Sequence, residues 1–362
     1  TTWTKIGKAM NSSDIDGEAK YDTSGHSVSL SSDGSVVAIG ATRNDGNGSN
    51  SGHVRIYQNR NGTWTKIGDD INGEAANDHS GISVSLSSDG SIVAIGAYLN
   101  DDNGTDSGHV RIYQNNSGTW TKVGDDINGE AANDHSGYSV SLSSDGSIVA
   151  IGAYLNDDNG TDSGHVRIYR NNSGTWTKIG SDIDGEATGH SSAYLGWSVS
   201  LSLDGSVVAI GARSGSKTGY VSIYKNNSGT WTKIGDDIDG EAVWDSFGAS
   251  VSLSSDGSIV AIGAYDNDGN GSGSGHVRIY RNNSGTWTKI GDDIDGEAAV
   301  DYSGHSVSLS SDGSIVAIGA PRNDSSSRDS GHVRIYQIDL DKTSPSITGL
   351  SGNAGADSSA KS

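Results

Sequence analysis

The chain has no cysteine among its 362 residues, so neither disulfides nor thiolate metal sites contribute to it. No apolar run approaches the roughly 20 residues that a membrane-spanning helix needs. Proline occurs twice, and the hydrophobic fraction is only 32%, low for an ordinary globular core. A chain this poor in large apolar residues either stays disordered or buries small β-formers very regularly. Positive charge is scarce too, with 24 Lys and Arg against 45 Asp and Glu and a net charge of −21. Such a surface repels phosphate backbones and anionic lipids, which argues against nucleic acid and membranes as partners and suits cations instead. The chain opens Thr1-Thr2-Trp3, without methionine or a signal-peptide pattern, and so reads as a piece of a longer protein.

What is plentiful is glycine, 53 residues, and repetition. Trp-Thr-Lys-(Ile/Val)-Gly begins at Trp3, Trp64, Trp120, Trp176, Trp231 and Trp287, and Ser-Val-Ser-Leu-Ser at Ser27, Ser83, Ser139, Ser198, Ser250 and Ser306. Both markers count six repeats of about 56 residues. Each repeat holds four segments of strand character, in the third at 139–143, 148–153, 165–169 and 175–179. Asp145-Gly146 marks a tight hairpin between the first two, because glycine accepts positive φ. Asn171-Asn172-Ser173-Gly174 marks a turn between the last two.

Four antiparallel strands in a repeat of this length predict a propeller blade. The expected fold class is therefore all-β: a six-bladed β-propeller of four-stranded antiparallel blades over residues 1–337, with 338–362 a linker or tail toward a following domain. The segment alternating serine with aliphatic residues suits the crowded axis and is taken as strand A. The tryptophan segment suits the wide rim and is taken as strand D. The chain begins with a D strand, Trp3 to Gly7, and ends its last repeat at strand C, so the N-terminal strand is expected to complete the last blade and close the ring.

Ser-Gly-x-Ser-Val-Ser-Leu-Ser, Val-Ala-Ile-Gly-Ala and Ser-Gly-His-Val-Arg-Ile-Tyr together resemble the FG-GAP repeats of integrin α-subunit heads and bacterial surface proteins. Pro321 restores the Gly-Ala-Pro of that family, and Phe247-Gly248 its Phe-Gly. The resemblance implies a propeller and an extracellular or cell-surface role. Two departures stand out: integrin heads have seven blades where this chain supplies six, and the A-to-B loop that binds calcium in the family has shrunk here to Ser-Asp-Gly.

Because strands alternate in direction, the D-to-A and B-to-C loops emerge on one face of the disc and the short turns on the other. The loop face is acidic. Its B-to-C loops offer Asp45, Asn47, Asp101, Asn103, Asp106, Asp157, Asn159, Asp162, Asp266, Asp268 and Asn270 as candidate calcium ligands, since calcium takes six to eight oxygens. The same residue types also favour solvated turns through bonds to their own backbone. The histidines beside these loops admit either a zinc reading or a capping hydrogen bond.

Where the repeats differ, aromatic and basic side chains appear. Tyr138, Tyr194, Trp197, Arg213, Lys217, Trp244 and Phe247 are the candidate ligand-binding residues, because aromatics beside polar loops serve sugar and peptide recognition. No nucleophile and base rise above the repeat background. The expected function is a non-enzymatic, integrin-like binding or cell-adhesion module of a larger surface protein, monomeric within its chain. It would recognise a surface glycan or protein, aided by calcium. The alternative is a structural spacer in a long adhesin.

Overall fold

The computed structural model describes residues 14–186, 193–213, 218–324 and 327–340, together with the backbone of Lys8–Ala9 and Ile347–Gly349. Its strands form six successive sheets, antiparallel except where Lys8–Ala9 joins the first. In blade 3, strands A to D are Ser139–Leu142, Ile148–Ala153, His165–Asn172 and Thr175–Lys178, close to the expected segments. Strand B reads Ile-Val-Ala-Ile-Gly-Ala and is buried at every position in blades 3 and 5, because neighbouring blades cover both of its faces. The tryptophan strand is half exposed at the rim. A further two-residue strand in each of blades 1 to 5, such as Ile127–Asn128, folds back to pair with the start of strand C, which the four expected segments did not include.

Every core is a joint between two blades. Val36, Ala38, Val54 and Ile56 of blade 1 pack on Val84, Leu86, Val93 and Ile95 of blade 2, and the later joints repeat the arrangement. Each such side chain contributes roughly 1.5–3 kcal/mol when fully buried. A polar set repeats with the apolar one. The strand A serine donates to a glycine carbonyl of the next blade, Ser27 Oγ to Gly81 O at 2.7 Å and Ser83 Oγ to Gly137 O at 2.8 Å. At the rim, Trp120 Nε1 donates to Ile67 O at 2.9 Å, and Trp176, Trp231 and Trp287 do the same one blade further on. The tryptophans are therefore rim staples.

The sixth joint differs from the other five. On the plain face Ser32 N donates to Ser88 O, and the bond recurs from Ser88 to Ser144, Ser144 to Leu203, Leu203 to Ser255 and Ser255 to Ser311. No bond joins Ser311 to Ser32 among the described residues. The faces that would meet there stay open: Val28 and Leu30 of blade 1 are 64% and 60% exposed, and Val333 and Ile315 of blade 6 are 64% and 41% exposed. Blade 6 takes its fourth strand from Ile347–Gly349, which pairs with His332–Ile338. The expectation placed the N-terminal strand Trp3 to Gly7 beside this blade and a linker or tail from 338 onward. Trp3 to Gly7 lie outside the described residues, and Lys8–Ala9 pair in parallel with Thr63–Lys66 of blade 1. A segment close in sequence covers the free edge of strand C at a smaller chain-closure cost than one from the far end.

Candidate functional site

The D-to-A and B-to-C loops share one face, as the strand directions require: Asn47 Nδ2 of one donates to Gly73 O and Glu74 O of the other at 2.9 and 2.8 Å. Asn103 repeats this on Gly129 and Glu130, Asn159 on Gly185, and Asn270 on Gly296 and Glu297. The aspartates in the same loops fold them. Asp45 Oδ1 accepts from Asn50 N, Asp101 Oδ1 from Asp106 N, Asp157 Oδ1 from Asp162 N and Asp268 Oδ1 from Gly273 N, each at 2.7–2.8 Å. Asp106 and Asp162 themselves stand at φ of 52° and 51°, a left-handed turn position that Asp tolerates better than most residues. Thus eight of the eleven candidate calcium ligands brace loops with their side chains, and Asp106 and Asp162 hold turn positions. Asp266 is the other, and it accepts from Ser246 Oγ at 2.7 Å.

Around the axis on this face the aromatic candidates do meet. Tyr138 packs on Trp197 with ring centroids 4.8 Å apart and on Tyr154 at 4.5 Å, and Tyr194 lies 6.4 Å from Trp197. These contacts extend through Tyr98 to His79 and His135. Tyr98 and Tyr154 directly follow strand B of blades 2 and 3, the position Arg213 takes in blade 4. Sequence reading missed both, although the varying residue after Gly-Ala marked them. Burial pushes the Tyr154 hydroxyl up to about 12, keeping it a neutral donor at neutral pH.

Arg213 is the hinge of this belt. Its guanidinium lies over the Trp197 ring at 4.6 Å and the Tyr265 ring at 5.3 Å, and its Nε donates to Ser246 Oγ at 3.0 Å. Beside it a groove of about 560 Å³ runs across blades 4 to 6, lined by Tyr194, Arg213, Trp244, Asp266, Asp268 and Tyr302. Trp244 is 67% exposed. Lys217 lies outside the described residues. Phe247 leaves the candidate set: it is 1% exposed and sits in the core between blades 4 and 5, where it starts strand A.

Outside the belt, each histidine opening strand C in blades 1, 2, 3 and 5 lies beneath a group of carboxylates, as with Glu74, Asp102 and Asp126 around His109. Burial holds the His109 imidazole below its ordinary value and lowers that of His165 to about 4, so both are neutral at pH 7.

Six blades with their working loops on one side define the class, an all-β propeller. The FG-GAP repeat model matches residues 72–113, 128–169 and 238–280, so this six-bladed propeller carries FG-GAP repeats in those segments. No curated protein matches the sequence. Among solved structures, a Bacteroides uniformis protein provisionally named 6-phosphogluconolactonase is 13% identical over 91% of this chain and 84% of its own, with a TM-score of 0.62. The periplasmic gluconolactonase of Pseudomonas aeruginosa is 15% identical over 90% and 88%, with a TM-score of 0.58. The hydrazine synthase of Kuenenia stuttgartiensis is 13% identical over 91% and 80%, with a TM-score of 0.55. At these identities the likeness is one of fold alone.

Proposed function

We propose that the protein is a non-enzymatic recognition module of an extracellular or cell-surface protein, and that it binds a glycan in the groove beside Arg213. The exposed Trp244 ring among Tyr194, Arg213, Asp266 and Asp268 carries this reading. A sugar ring presents an apolar face that stacks on an indole, and hydroxyls that bond carboxylates and guanidinium. An exposed tryptophan costs solvation that a structural role would have avoided by burial, as the rim tryptophans do in part. The belt behind it supplies preorganisation, since Arg213 is already held between two rings and a hydroxyl.

In this reading calcium would brace the loops through the remaining carboxylate oxygens, since Asp45, Asp101, Asp157 and Asp268 each spend one oxygen on their own backbone. A spacer with no ligand is the second reading, favoured by the loop-folding use of those acids. Glycan-array binding of the wild type and of Trp244→Ala, with and without EDTA, separates the two. Binding by the wild type that falls at least tenfold in the variant at unchanged melting temperature supports recognition. Absence of binding to every glycan supports the spacer.

A further inference from the structure

At the start of strand C in blades 2 and 3 an imidazole is buried with nothing to bond. His109 and His165 are each 0% exposed, and neither ring nitrogen of either has a hydrogen-bond partner. A neutral imidazole carries one N–H and one lone pair, and leaving them buried and unmet is costly. His109 Nδ1 faces Asp102 Oδ2 at 3.6 Å and Glu74 Oε2 at 3.8 Å, too long for hydrogen bonds. His165 Nδ1 faces Asp158 Oδ2 at 3.8 Å and Glu130 Oε2 at 4.0 Å. Asp126 and Asp182 complete the two groups, whose four ligand atoms lie within 4.8 Å of one another. Two donors bound at about 2.1 Å to one tetrahedral ion sit roughly 3.4 Å apart, so these groups, whose ligand atoms span up to 4.8 Å, must draw together to hold one.

The other repeats serve as internal comparisons. In blades 1 and 5 the position of Asp102 is Gly46 or Gly269, and only three candidate ligands remain. There the strand C arginine clamps the aspartate: Arg55 donates to both oxygens of Asp70 at 3.1 and 2.9 Å, and Arg278 to both oxygens of Asp293 at 2.9 Å. In blades 2 and 3 the arginine turns away. Arg111 and Arg167 donate instead to the backbone oxygens of Asn72 and Asn128, at 2.8 Å each, and touch only the far oxygen of Glu74 or Glu130. Asp126 and Asp182 are left with a lysine on one oxygen. Where a fourth ligand is present, the competing cation has been withdrawn.

We infer that Glu74, Asp102, His109 and Asp126, and likewise Glu130, Asp158, His165 and Asp182, form two binding sites for a divalent first-row transition ion of the zinc class. One nitrogen with three carboxylate oxygens suits zinc, whereas calcium takes oxygen ligands in larger number. Glu74 and Glu130 come from the connection that enters the blade, so each ion ties that connection to strand C of the same blade. These sites are separate from the groove beside Arg213 and do not depend on its reading.

Zinc chloride titrated calorimetrically into the metal-free chain, with calcium chloride as comparison, tests the inference. Two equivalents of zinc binding at micromolar or tighter affinity, undiminished by millimolar calcium, is the expected result. His109→Asn with His165→Asn should lose both equivalents. So should Asp102→Gly with Asp158→Gly, which installs the residue that blades 1 and 5 already fold with. Absence of saturable zinc binding overturns the inference, as does full retention of both equivalents in either folded variant.

Discussion

Trp244 and Phe247 stand three residues apart in one loop, yet one faces water and the other the core between blades 4 and 5. Phe247→Ala should cost about 3–5 kcal/mol, the usual range for a fully buried phenylalanine, read as a fall in denaturation midpoint. Trp244→Ala should leave that midpoint in place. Sequence reading grouped the two because both are aromatics in irregular loops. It lacked the register, which starts strand A at Phe247 and turns its side chain inward. The histidines at the mouth make a second residue-scale case. Burial, chiefly, holds His79 and His135 below the ordinary imidazole value of 6.5. The unfolded chain therefore takes up protons first as the pH falls, so stability is full above about 6.5 and declines below it. Melting temperatures at pH 7.5 and 5.5 should show a smaller acid loss in the His79→Gln, His135→Gln double variant than in the wild type; an equal loss would contradict this assignment.

At the scale of strands and loops, the repeat made the fold legible. The four segments, their turns and the crowding at strand A follow from alternation and from Asp-Gly and Asn-Ser-Gly signals. Two things were illegible for physical reasons. The two-residue strand at Ile127–Asn128 is too short to show a period, and the loop acids of Asp101 or Asp157 look alike whether they bind an ion or their own backbone. Only the distances show that Asp102 and Asp126 converge on a histidine while Asp101 folds its loop. The glycine in strand B marks how close the blades approach. A Cβ on Gly96 would lie 1.9 Å from Gly137 O of the next blade, whereas one on Gly319 in blade 6 would meet only its own Ser306 hydroxyl at 2.4 Å, a side chain free to turn. Gly96→Ala should therefore destabilise the protein by roughly 1–3 kcal/mol, the range for overpacking, and Gly319→Ala by less than about 1 kcal/mol. Equal losses in chemical denaturation would mean that blade 6 is covered as blade 2 is.

For the whole molecule, six like blades make five like joints among the described residues, and every proposed site depends on them. The groove crosses the joints of blades 4 to 6, and each histidine site draws its glutamate from the connection between blades. A ring of equal joints closes on itself only when their rotations sum to a full turn. Here the faces of blades 6 and 1 stay exposed although each has the residues that pair in the other joints. Because the chain has no native cysteine, one measurement reads this directly: oxidative cross-linking of paired cysteines on the plain face. Ser32→Cys with Ser88→Cys, at a formed joint where the backbones bond at 2.8 Å, should cross-link rapidly within one chain. Ser32→Cys with Ser311→Cys, at the open joint, should not. Equal intramolecular cross-linking of both pairs would show a sealed six-bladed ring and contradict the five-joint architecture.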